Sequence, residues 1–399
     1  MTPRITQAHS TRVLAADIRE QQEAIAIARE QIASGKRINR PSDDPAHAAR
    51  LESIKHTQGR LTQYLRNADA AESRLALEET ALARADESLA RIRELAVAAG
   101  GSLKDGDRAA LRTEVIERLG ELVETANAQD SAGDYIFAGS RSDIRPFEQG
   151  TPTLYRGDSI GRDLPIGPSR TATSGDVGME VFMRTPTGNG RFAVAADTAN
   201  TGTGIIDSGS VVDATAFRDT DYRIEFTAAD EYSVIDVASG TAVQTAAPYT
   251  AGEAITFEGL TTRIEGAPST GDVFEIQGNA RRDMFTTIEQ FAARLDAPRV
   301  TDAQKAQYLQ GLNLTLGDID QAKDAVNTAR SRVGTRLQVI DSSRTENEGM
   351  ALELARTSSN LEDVDVAEAI TRLESRAFAL EALQKSWARV ENLSLFNYL

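Results

Sequence analysis

Residues 34–51 read SGKRINRPSDDPAHAARL, a short passage between two long stretches of helical period. Gly35 suits the position just past a helix end, where left-handed backbone is free of Cβ strain. Pro41 blocks helix continuation. Asp44 followed by Pro45 is a helix start: the carboxylate caps the first turn, and proline sits where the N–H has no intrahelical partner. The passage is therefore a turn of fixed geometry between two helices. Its charges leave two readings open. Lys36, Arg37 and Arg40 can pair locally with Asp43 and Asp44, at about 0–1 kcal/mol per exposed pair. Alternatively, the cluster is a surface onto which a neighbour docks.

On the N-terminal side, Leu14, Ile18, Gln21, Ile25, Ala28 and Ile32 step 4-3-4-3-4, the rhythm of a coiled-coil seam. On the other side Leu51, Ile54, Gln58, Leu61, Leu65 and Ala68 resume it, and Leu75, Leu82 and Leu89 follow at sevens. Ala46 to Ala98 holds no proline and one glycine, Gly59. An unbroken helix of that length is roughly 80 Å long, too long for a compact domain. Leu111, Val115, Leu119, Leu122 and Ala126 mark a third helix after the GGSLKDGD turn. The C-terminal part mirrors this. Leu312, Leu316, Ile319, Val326, Val333, Leu337 and Ile340 mark another long helix, and Val366, Ile370, Leu373, Ala377, Leu380, Gln384 and Trp387 a last one. Gln21, Gln58 and Gln384 fall on seam positions, where a polar residue can set register at some cost in stability. Each chain end needs a partner for its apolar stripe, and the simplest partner for each is the other.

The middle differs. Residues 134–283 hold 13 of the 21 aromatics, 18 of the 29 glycines and 7 of the 11 prolines. DYRIEFTAADEYSVIDVASGTAV and AITFEGLTTRIEGAPSTGDVFEIQ alternate apolar and polar residues between turn signals, the pattern of short strands. The fold class that follows is mainly α with an inserted β domain. The N- and C-terminal parts form long antiparallel coiled-coil helices around a β-rich middle. The expected divisions are a terminal helix at 1–45 pairing with 350–399 and a long-helix core with a small β region at 46–185 pairing with 280–349. A β insert occupies 186–279.

Composition excludes several functions. The formal net charge of −16 argues against nucleic acid, which wants a basic face. The middle is the acidic part, with 12 Lys and Arg against 22 Asp and Glu in residues 134–283. The absence of cysteine removes disulfides, thiolate metal sites and a Cys nucleophile. The first twenty residues show neither an apolar core nor a cleavage site of a secretory signal, and no apolar run reaches the ~18–20 residues of a membrane span. The SGKR tetrapeptide is not a phosphate loop, because Glu30 and Arg37 stand where that pattern needs Gly and Ser or Thr. His9, His47 and His56 lack metal-ligand spacing and read as helix-surface residues. Arg156–Asp158 spells an adhesion tripeptide, but a turn is the simpler account. The insert contains no His, Cys or Lys. An enzyme there would have to use carboxylates, and a binding or adhesin-like module is the other alternative.

SGKRINRPSDDPAHAARL, RNADAAESRLALEETAL and LARIRELAVAA resemble the N-terminal signature of bacterial flagellins and their junction relatives. SAGDYIFAGSRSDIRPF followed by YRGDS, and the ending NLEDVDVAEAITRLESRAFALEALQKSWARVENLSLFNYL, are more particular. Together they resemble the flagellar hook-associated protein 3 family (FlgL), the hook–filament junction proteins of the flagellin-like superfamily. The resemblance implies a structural adaptor, not an enzyme, with no cofactor. Such an adaptor forms a ring of its own copies between the hook-associated protein 1 layer and the flagellin filament. It implies export without a cleaved signal, through the flagellar export apparatus and its chaperone, to an extracellular place in the flagellum. It also places the terminal helices in an inner tube, points the insert outward, and favours docking at the turn. The expected assembly residues are Leu14, Ile18, Ile25 and Ile32; Lys36, Arg37, Arg40, Asp43 and Asp44; and Ile370, Leu373, Leu380, Trp387 and Leu393. For residues 1–40 and 360–399 the expectation is packing between subunits, with the ends weakly ordered until assembly. A flagellin is the same-class alternative.

Overall fold

The computed structural model describes residues 3–101 and 103–392. They form six α-helices: α1 (Pro3–Ser34), α2 (Pro45–Ala99), α3 (Asp105–Ala126), α4 (Met284–Leu295), α5 (Asp302–Glu362) and α6 (Val366–Asn392). Short strands β1 (Phe147–Glu148), β2 (Leu154–Tyr155), β3 (Asp163–Pro165), β4 (Thr171–Thr173) and β5 (Thr185–Pro186) follow α3. The insert carries β6 (Phe192–Ala196), β7 (Ile205–Ile206), β8 (Ser210–Val211), β9 (Tyr222–Ala228), β10 (Glu231–Asp236), β11 (Ala242–Pro248), β12 (Ala254–Phe257), β13 (Leu260–Glu265) and β14 (Val273–Gly278). The pair of β15 (Arg281–Arg282) with β5 closes its base. The chain divides into two compact units, Met1–Arg66 with Ser343–Leu399, and Asn67–Ser342.

The smaller unit contains α1, α6 and the adjoining ends of α2 and α5. Asp44 caps α2 as its sequence implies, with His47 N donating to Oδ1 at 3.1 Å. Gly35 takes φ of 71° and ends α1. Ile25, Ala28, Ile38, Leu51, Ile54, Leu61, Val364 and Ala369 are buried here.

The larger unit is built on the remaining parts of α2 and α5, with α3 and α4. Leu75, Leu82, Leu89, Val115, Leu122, Ile319, Val326 and Val333 are fully buried in one apolar cluster. Ion pairs fix the antiparallel register. Arg330 meets Glu79 at 2.7 Å, Lys323 meets Asp86 at 2.8 Å, and Arg93 meets Asp320 at 2.6 Å. The first two are seven residues apart on both helices, so each pair recurs after two turns. Phe137, Phe147, Phe182 and Phe285 form an aromatic knot with centroids 5.1–5.4 Å apart across three of its contacts. The insert is two antiparallel sheets, one ordered β11-β10-β9-β14-β6 and the other β12-β13-β7 with β8 also on β13. Alternate residues such as Tyr222, Ile224 and Phe226 of β9 and Phe274 and Ile276 of β14 fill a second core with Ile255, Leu260 and Ile264.

Three features depart from the sequence reading. Helix α4 was not expected, although Asp283 caps it on Thr286 N at 2.7 Å and Met284, Phe285, Ile288, Phe291, Ala292 and Leu295 form its buried face. The division expected at 349/350 falls inside α5, which runs to Glu362. Gly349 is a lone glycine among good helix formers and costs only about 1 kcal/mol, too little to stop the helix. The break lies at Asp363–Asp365, where Asp365 caps α6 by accepting from Glu368 N at 3.1 Å. The third difference is at the start of α6: Ala369 is buried, while Val366 and Ile370 are exposed.

Candidate assembly surface

The charged turn is used within the smaller unit, but not as local pairing would have it. Lys36 Nζ reaches Glu362 Oε1 at 2.6 Å, and Lys55 Nζ stands 3.6 Å from the same atom. Arg37 Nη2 donates to Leu361 O at 2.9 Å. Arg40 pairs with Glu30 at 3.2 Å. Asp43 accepts from the N–H groups of Asn39 (3.1 Å) and Arg40 (2.8 Å), while Asp44 caps α2 and meets His47 Nδ1 at 2.6 Å. Backbone completes the junction. Arg37 N donates to Glu362 O at 2.6 Å, Val364 N donates to Gly35 O at 3.0 Å, and Lys36 bridges Asp363 in antiparallel fashion. The break between α1 and α2 is thus zipped to the break between α5 and α6. The Glu362 carboxylate raises the Lys36 pKa above its usual value, and the N–H of His47 lowers that of Asp44. Both groups are at the surface, so each pair adds little stability. What the turn adds is geometry.

From this zip α1 and α6 run antiparallel. Ile25 is buried, and Leu14, Ile18 and Ile32 are partly covered. On α6, Leu373, Leu380 and Trp387 are partly covered. Gln21, on the same face, accepts from Arg376 of α6 at 3.2 Å, which is how its polar group is accommodated. The seam residues expected to face other subunits are therefore engaged within the chain, because each helix is the nearest apolar stripe available to the other. Ile370 lies on the flank of the seam, 43% exposed, and Leu393 lies outside the described residues. What the seam leaves over is apolar too. Ile27 is 45% exposed on the side of α1 away from Ile25, and Phe378 is 75% exposed, about half a turn from the buried stripe of α6. The sequence reading missed both, since neither falls on the seam rhythm. That mismatch was itself a signal.

In the larger unit, the passage 134–158 is held by its own motif residues. Asn127, at the end of α3, exchanges side-chain hydrogen bonds with Phe147 N (2.9 Å) and Phe147 O (2.8 Å). The Tyr155 hydroxyl lies between the carbonyls of Phe137 (3.0 Å) and Asp158 (2.9 Å). Gly157 packs so tightly on Tyr155 and on Ala138 O that no Cβ fits there. Asp158 accepts from Ser140 N (2.9 Å), Ile160 N (3.0 Å) and the Ser140 hydroxyl. The tripeptide Arg156–Asp158 is a structural turn. Below it, Glu78 of α2 is fully buried, accepting from Asp176 N at 3.0 and 3.2 Å. Asp176 in turn lies 3.0 Å from Arg332 and 2.7 Å from Arg336 of α5. Burial, then the Asp176 charge, push the Glu78 pKa up to about 7.

Among the described residues no His, Asp and Glu cluster forms a metal-binding group, and no helix is long and apolar enough to cross a membrane. His9 is exposed, His47 serves the cap, and His56 lies 3.4 Å from Glu52 one turn away.

Family models match the chain in three places. The bacterial flagellin N-terminal helical region matches residues 5–142, and the bacterial flagellin C-terminal helical region residues 316–399. Between them, residues 195–278 match the D2-like domain of flagellar hook-associated protein 1. The helical frame is that of the flagellin-like proteins. Solved relatives narrow it. The crystal structure of Xanthomonas campestris FlgL is 34% identical, with a TM-score of 0.71 over 77% of this chain and 99% of that one. Flagellar hook-associated protein 3 of Legionella pneumophila is 33% identical, with a TM-score of 0.73 over 78% and 98%. The chain belongs to the flagellar hook-associated protein 3 family. Salmonella typhimurium flagellar hook-associated protein 3 is 34% identical over 154 residues, 38% of this chain and 48% of that protein. The chain thus spans about half the length of the curated relatives it matches.

Proposed function

We propose that this chain is a structural adaptor of the bacterial flagellum, one ring of subunits joining the hook-associated protein 1 layer to the flagellin filament. The observation that carries the reading is the α1–α6 seam, which pairs the two extreme helices antiparallel and still leaves Ile27 and Phe378 uncovered on its outer faces. Paired helices with apolar residues on both sides suit a subunit that stacks against copies of itself and against neighbours above and below. Leu14, Ile18, Ile25 and Ile32 with Leu373, Leu380 and Trp387 hold the pair. Ile370 and Leu393 complete the proposed assembly set. Lys36, Arg37, Arg40, Asp43 and Asp44 fix the angle at which the pair leaves the turn. Helices α1 and α6 are already formed and paired within the single chain, contrary to weakly ordered ends, and assembly adds contacts to that pair. The chain reaches the cell exterior through the flagellar export apparatus, with its chaperone and without signal cleavage. The proposed divisions are 1–45 with 350–399 for the inner part, its helix break at Asp363–Asp365, 46–185 with 280–349 for the long-helix core, and 186–279 for the outer insert.

The flagellin reading shares the helical frame, but its models match only the two ends, and the solved hook-associated protein 3 structures match across three quarters of the chain. An enzyme in the insert has little to work with, lacking His, Cys and Lys. Deleting the chain from its own cell separates the first two. The adaptor reading expects bare hooks and intact flagellin released into the medium, with filaments restored by returning the chain. Normal filaments in the deletion strain would contradict it, and a medium devoid of filament protein would point to a flagellin.

A further inference from the structure

A cavity of about 480 Å³ lies in the larger unit where β6 of the insert passes over α4 and α5. Ala193 and Ala195 form one wall, and Arg294, Gly311 and Asp318 the other. The charges in it are unevenly satisfied. Asp318 is buried, accepts from Gly188 N at 2.8 Å and pairs with Arg282 at 3.1 Å. The Arg294 side chain, partly buried as a whole, forms no hydrogen bond and no ion pair among the described residues, and its Nε is fully buried. A guanidinium withdrawn from water ordinarily has carboxylate or carbonyl partners, because desolvation without them is costly. Position 311 is made for this side chain. The Arg294 guanidinium lies directly on Gly311, where any Cβ would collide with it. Burial and the nearby Arg282 press the Arg294 pKa down, while Asp318 opposes them.

The neighbouring amides are already occupied in holding the insert. Gln307 Nε2 donates to Asn200 O at 2.9 Å, and Gln310 exchanges two hydrogen bonds with the backbone of Ile206 at 2.7 and 3.0 Å. Among the described residues lining the cavity, the buried side-chain nitrogen without a hydrogen-bond partner is Arg294 Nε. The planar fork of Arg294 matches an oxyanion in bidentate fashion. At the rim, exposed Asp197 adds a negative charge that disfavours multiply charged anions. The volume lies in the range of small-molecule sites.

We propose that this cavity binds a small monocarboxylate, whose carboxylate is received by Arg294 between the insert and helices α4 and α5. The test titrates the full chain by calorimetry and ligand-observed NMR with acetate, lactate and glucuronate, and separately with inorganic phosphate and sulfate. Saturable binding of at least one carboxylate is expected, weakened at least tenfold in Arg294→Gln. Ala195→Phe, which fills the cavity and leaves Arg294 in place, is expected to weaken it as much and carries the test if Arg294→Gln misfolds. Phosphate and sulfate are expected to bind more weakly than the best carboxylate. The proposal falls if no carboxylate saturates, if a folded variant binds as the parent does, or if phosphate or sulfate binds more tightly.

Discussion

Replacing Phe378 by Ser is expected to remove filaments from the cell while leaving the isolated chain as stable as the parent. The side chain is 75% exposed on α6, facing away from the seam. An exposed residue that packs on nothing contributes little to folding, and its replacement should fall within about 0.5 kcal/mol of the parent in denaturant unfolding. In the proposed assembly the Phe378 side chain packs against a neighbouring subunit. An aromatic anchor at the centre of an interface costs roughly 2 kcal/mol or more when truncated, which is more than tenfold per contact. Filament-bearing flagella should drop at least tenfold, with the exported Phe378→Ser protein recovered from the medium. Full filaments on Phe378→Ser cells would mean that this face meets no neighbour. A matching loss of monomer stability would mean that Phe378 serves the fold instead.

The second large effect is on pH dependence, and it belongs to Glu78. With its pKa raised from the ordinary 4.5 to about 7, the folded state holds this proton more tightly than the unfolded chain does. The stability so conferred is complete below about pH 4.5 and is lost as pH rises through about 7. A shift of that size corresponds to about 3 kcal/mol. Glu78→Gln keeps an acceptor for Asp176 N and has no proton to lose. Measured by urea unfolding, parent and Glu78→Gln should be close at pH 4.5, and Glu78→Gln should lead by about 3 kcal/mol at pH 8. Burial also raises Asp318 and Glu289, but both are present in each protein and cancel in the difference. Parallel stability curves for the two proteins would show that Glu78 stays ionised in the fold, held by the positive charges of Arg336 and of Arg74 one turn before it on α2, both of which favour its ionised form.

Both effects sit where the sequence was hard to read. Its helices were legible because apolar residues recur at a period the backbone imposes: Leu75, Leu82 and Leu89 are all fully buried. The turn was legible because Gly35, Asp44 and Pro45 each answer a local backbone demand. Partners distant in sequence were not. Lys36 looks towards Asp43 and Asp44 along the chain, yet its carboxylate is Glu362, 326 residues away. Glu78 and Asp176 meet across 98 residues, and nothing local to either marks the contact. Helix α4 was not separated out although its pattern was present: it lies in the 280–349 stretch read as one long-helix core, and its short apolar face, Met284 to Leu295, precedes the seam rhythm that begins at Leu312. In α6 the rhythm holds at Leu373, Leu380 and Trp387, which are partly covered, and fails in the first turns, where Ala369 is buried and Val366 and Ile370 are exposed.

The central claim is a place: one layer between hook and filament. Immunogold electron microscopy of intact flagella, with antibody raised against residues 186–279, tests it most directly. The account predicts a single band of gold where hook meets filament. Gold along the whole filament, or flagella with no label at all, would contradict it.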